Sequence, residues 1–86
     1  MTREKLTEAS ETLATAAQSA PEPVSERLET QAEQLAQLAA RDQAPDHGRL
    51  ARHMTILQEL HEETDDPAIE KAYEQVREYR EGVSGV

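Results

Sequence analysis

The stretch 46-DHGRLARHMTILQ-58 gathers Arg49, Arg52, His47 and His53 in a chain of 18 acidic and 9 basic residues, and its last twelve positions, 47–58, contain no carboxylate. A guanidinium presents a planar fork of donors that matches the oxygens of a carboxylate or phosphate. The start of a helix adds free amide hydrogens and the positive end of a dipole, and Gly48 would let a ligand or another backbone come close. Arg41, His47, Arg49 and Arg52 therefore form a candidate patch. Its chemistry is anion recognition: a phosphate, a nucleic acid strand or the acidic surface of a partner. The plainer alternative is that these arginines pair with the chain's own carboxylates or keep an exposed face soluble. Asp46 also competes for the amides at the helix start.

His53 and His61 raise the question of metal ligation. Eight residues separate them, roughly 12 Å along a helix at about 1.5 Å per residue, so they cannot hold one ion together. The Glu-x-x-His and His-Glu-x-x-His pairings of helical metal sites are missing. Both histidines fall on the apolar arc of their segment. The expectation is neutral, hydrogen-bonded histidines facing the core, whose charging in acid loosens the fold. HEETDD, residues 61 to 66, brings four carboxylates together but lacks the alternating ligands and central glycine of a calcium loop. It reads as a solvated helix end followed by a cap. The chain has no cysteine, which excludes disulfides, thiolate chemistry and Cys-ligated metals. No nucleophile with a neighbouring base, glycine-rich phosphate loop or pair of catalytic carboxylates emerges. Neither catalysis nor a cofactor or metal is expected.

The elements that must position the patch are helices. Aliphatic residues recur every seven positions in four sets: Leu6 and Leu13, Leu28 and Leu35, Leu50 and Leu57, then Ile69, Val76 and Val83. A second row follows three or four residues on, and strand alternation is absent. Segments 3–19, 24–42, 47–63 and 67–82 are predicted helices. Prolines in SAPEPVS (19–25) and QAPD (43–46) break the chain between them, Thr2 and Asp46 are placed as caps, and Asp66 stands as N-cap before Pro67 at the first helical position. GVSG at 82–85 is expected to fray the last helix.

Short turns make neighbours antiparallel, so the predicted fold is all-α, an up-down-up-down four-helix bundle. The alternative is a pair of helical hairpins completed by homodimerisation. It rests on a thin core of 17 large apolar side chains and on a first segment rich in alanine.

With 86 residues the chain has room for one domain, residues 1–86. Its net charge is −9, and two lysines stand against seven arginines. A dense acidic surface keeps a protein hydrated where concentrated salt has screened ordinary repulsion, so a salt-rich cytoplasm is the expected setting, with an ordinary acidic protein as the alternative. No apolar run is long enough to cross a bilayer, and MTREKLTEAS lacks the apolar segment of a secretion signal. The overall charge also opposes nucleic acid everywhere except at the arginines, and no aromatic residue lies near them to stack on a base.

MTREKL at the start, QAEQLAQLAARD at 31–42 and PDHGRLARHM at 45–54, with the acidic helical remainder, resemble a group of small acidic proteins of unknown function from halophilic archaea. The likeness spans most of the chain, and DHGRLARH is its most distinctive piece. It implies a cytoplasmic, salt-adapted helical protein and brings no activity, substrate or ligand. The expected function is a non-enzymatic interaction module whose third-helix edge, with Arg49 and Arg52, meets an acidic protein partner or a second copy of the chain. The alternative is a regulatory binder of a phosphorylated ligand or nucleic acid at the start of that helix.

Overall fold

The computed structural model describes residues 4–41 and 47–84. They form four helices and, among the described residues, no strand: α1 (Glu4–Ser19), α2 (Val24–Ala40), α3 (His47–Thr64) and α4 (Pro67–Ser84). The sevenfold aliphatic rows become the core, as their spacing requires, except that the side chain of Val83 lies outside the described residues. Leu6, Leu13, Leu28, Leu35, Leu50, Leu57, Ile69 and Val76 are all withdrawn from solvent, with Leu38, Leu60 and Tyr79 filling between them. Burying a side chain of this size contributes about 1.5–3 kcal/mol, which is what holds such short helices together.

The helices do not meet equally. α1 packs against both α2 and α4, and α4 carries α3 on its other flank. The alanines that make α1 look weak explain its central position. Ala9, Ala16 and Ala17 are buried, and small side chains let neighbouring backbones approach. The Ser10 hydroxyl donates to the Ala32 carbonyl at 2.7 Å, and Ser25 donates to the Ala17 carbonyl at 2.7 Å, both from side chain to the backbone of the adjoining helix. Thr12 donates to Gln75 Oε1 at 3.2 Å, and Lys5 pairs with Glu78 at 3.0 Å, tying α1 to α4. The backbones of α2 and α3 stay further apart, leaving a seam that side chains must bridge.

The connection from α3 to α4 follows from its residue types. Asp65 takes the left-handed conformation (φ 59°), a region that aspartate tolerates better than most non-glycine residues, and its amide donates to the His61 carbonyl at 2.6 Å. The Asp66 carboxylate then accepts from the Ala68 amide at 2.9 Å, capping α4 with Pro67 at its first position. α2 stops at Ala40, two residues before its predicted end, because Arg41 turns extended (ψ 151°) and donates its amide back to Leu38. α4 continues through Gly82 to Ser84. The caps foreseen at Thr2 and Asp46 lie outside the described residues.

Candidate functional site

The seam between α2 and α3 changes character along its length. At the end near the start of α2, Arg27 reaches across to Glu63 at 3.0 Å and to Glu59 at 3.9 Å. In the middle, the buried side chains of Gln31 and His53 meet at 2.6 Å, Oε1 to Nδ1. At the other end the seam opens into a hollow of about 490 Å³. Gln31, Gln34, Gln37, Leu38 and Arg41 line it from α2 and its C-cap, and Arg49, Arg52, His53 and Ile56 line it from α3.

Helical spacing builds both walls. Arg49, Arg52, His53 and Ile56 stand at i, i+3, i+4 and i+7, one stripe of α3. Gln31, Gln34 and Gln37 repeat every third residue along α2. Arg41 follows at the point where α2 ends, so its side chain faces the start of the antiparallel α3 across the opening. The structure therefore brings together three of the four patch residues expected from sequence. His47 is the first residue of α3, and its side chain lies outside the described residues.

The electrostatics of this end are one-sided. Arg41, Arg49 and Arg52 are exposed, and among the described residues none that lines the hollow is acidic. Arg41 and Arg52 form no ion pair among the described residues, whereas Arg49 does have an interaction of its own. His53 sits beneath the arginines. Burial holds its pKa below the usual histidine value of 6.5, and the charges of Arg49 and then Arg52 push it further in the same direction. With the Gln31 amide oxygen as acceptor, Nδ1 carries the imidazole hydrogen and Nε2 is the position for a second proton.

His61 goes elsewhere. It is half-buried and lines a smaller hollow of about 160 Å³ between α3 and α4, with Glu62, Glu70, Tyr73 and Glu74 among its neighbours. Among the described residues no three His, Asp or Glu side chains gather as a metal-ligand set.

The glutamine wall and the pairing of Gln31 with His53 were not foreseen. A signal for the pair exists. Gln31 stands three residues after Leu28 and four before Leu35, and His53 stands three after Leu50 and four before Leu57. The same core-facing slot in successive helices thus holds a polar residue, and two such residues 22 positions apart can satisfy each other only by meeting. Chemically, the groove offers guanidinium forks and side-chain amides, donors suited to oxyanions.

Fold and groove together define a small all-α bundle with a cationic seam. The chain belongs to DUF7553, a family of unknown function, which matches residues 1–82. No curated protein and no solved structure gives a significant match. No described helix is long and apolar enough to cross a membrane.

Proposed function

We propose that this protein is a non-enzymatic interaction module of a salt-adapted cytoplasm, and that its α2–α3 groove receives an acidic segment of a protein partner or of a second copy of the chain. The observation that carries this reading is the convergence of Arg41, Arg49 and Arg52 on one opening in a molecule of net charge −9. A positive field of this size attracts and orients a short acidic segment, while the negative surface around it repels the rest of an extended nucleic acid. The lining supports recognition over transformation, because its arginines and glutamines donate hydrogen bonds to oxyanions and its one imidazole, His53, has Nδ1 committed to Gln31 and stands beside no nucleophile among the described lining residues.

Replacing Arg49 and Arg52 together with Glu tests the reading. The double variant should lose assembly by light scattering at high salt, or lose partners in a pull-down that the unaltered chain retains. Unchanged mass together with unchanged partners would defeat it.

A second reading is favoured by the volume. A hollow of about 490 Å³ is within the range that holds a small ligand, so a phosphorylated compound in a regulatory role fits the same donors. It requires saturable binding of a phosphorylated small molecule in molar potassium chloride, abolished by the same double substitution.

A further inference from the structure

We infer that the α2–α3 groove takes up its acidic occupant together with a proton, and that His53 is the group that receives it. This rests on the groove reading above and adds its regulation. His53 forms part of the lining, one residue from Arg52 and four from Arg49 on the same helix, and its Nδ1 is committed to Gln31 at 2.6 Å. A second proton must therefore go to Nε2 and would make a fourth positive charge beside Arg41, Arg49 and Arg52. In the empty groove two effects oppose that proton, burial and the neighbouring guanidinium charges. A carboxylate-rich segment seated among the arginines cancels the second effect and offers the imidazolium a partner.

Among the described residues, no carboxylate lines the groove beside His53. Across the seam α2 presents Gln31, Gln34 and Arg41, and the carboxylates Glu59 and Glu63 further along α3 are paired with Arg27. From α4, which packs on the other side of α3, the inward-turned titratable or charged residues are Tyr73, Glu74, Tyr79 and Arg80, and of these Tyr73 and Glu74 line the separate hollow beside His61. What disfavours the proton on His53 is its burial first, then Arg49 and Arg52. Linkage then fixes the sign. Whatever favours protonation when it binds is itself bound more tightly by the protonated form. Affinity for an acidic segment should rise as pH falls through the histidine range.

The test is isothermal titration of the full chain with a short aspartate-rich peptide at fixed ionic strength, between about pH 7.5 and about pH 5.5, in two buffers of different protonation enthalpy; aspartate stays ionised throughout. The peptide should bind about fivefold or more tightly at the lower pH, the lower end of common site-to-site coupling, with net proton uptake. With His47→Gln as the common background, so that the other histidine of the patch does not titrate, His53→Gln should bind with no pH dependence, and Arg52→Gln should bind more weakly at every pH. The His53 imidazole resonances, followed with and without peptide in the unaltered chain, read the same proton without any substitution and should titrate at higher pH when peptide is present. Binding with no proton uptake, or a pH slope that survives in His53→Gln, overturns the inference and leaves the groove reading standing. An absence of peptide binding at every pH overturns the groove reading and this inference with it.

Discussion

The two ends of the α2–α3 seam both carry arginine, but only one of them sets it against carboxylates. At one end Arg27 of α2 faces Glu59 and Glu63 of α3, and opposite charges draw the helices together. At the other end Arg41 faces Arg49 and Arg52 across a hollow of about 490 Å³, and among the described residues no carboxylate lines it. Neither end determines the fold, because both hang on the leucines beneath. The difference teaches that a bundle held by its leucines can gather cations at one edge without losing its core, and that such an edge is where an anion gains most by arriving.

Removing the shared support should have the largest effect. Leu57 is completely buried, and Leu57→Ala should cost about 2–5 kcal/mol in urea unfolding, since both the buried methyl groups and the cavity left behind count against the fold. A loss far below that range would mean that α3 is loosely docked and that the two ends are not comparable. Next comes the hydrogen bond between the ends. Gln31→Leu strands the buried Nδ1–H of His53 and should cost about 1–3 kcal/mol, and adding His53→Leu should restore part of the loss because no orphaned donor remains. A double variant no better than the single one would show that the pair is dispensable as a pair.

Acid probes the cationic end specifically. The folded-state pKa of His53 lies below the ordinary value of 6.5, so its contribution to stability is fully present above that value and is lost as pH falls through it toward the lowered one. The midpoint of thermal unfolding should therefore drop between about pH 7.5 and pH 5.5, and His53→Gln should flatten that slope. A flat profile in the unaltered chain would remove the histidine from the comparison. The smallest effects belong to the surface charges themselves. Arg27→Gln should destabilise by up to about 1 kcal/mol, as exposed ion pairs do, whereas Arg52→Gln should leave stability unchanged or raise it at low salt by relieving like-charge repulsion. Equal losses from both substitutions would erase the contrast between the ends.

Much of this was legible in the residues. The sevenfold leucines specify helices because only a helix places such positions on one face, and they are the buried ones. The cap at Asp66 was legible for a local reason, an aspartate before a proline at a helix start. The carboxylate-free run 47–58 marked the cationic wall. The glutamine wall was harder to see, because Gln31, Gln34 and Gln37 resemble any polar helix edge until a second helix stands opposite. His53 was legible as a buried histidine; its partner could be found only by noticing that Gln31 fills the matching core-facing slot between Leu28 and Leu35, since glutamine alone does not announce burial.

The chain by itself determined where helices form, which faces are apolar, and where positive charge concentrates, because each of these depends on spacing and residue type within one segment. Tertiary structure decided which faces meet. The alanines of α1 admit close neighbours, so α1 takes the centre with α2 and α4 beside it, and the bulkier, more polar edges of α2 and α3 are left to share an open seam. Only that arrangement brings Arg41 opposite Arg49 and Arg52, and sets His53 against Gln31 beneath them, because contacts between residues distant along the chain depend on how closely backbones can pack.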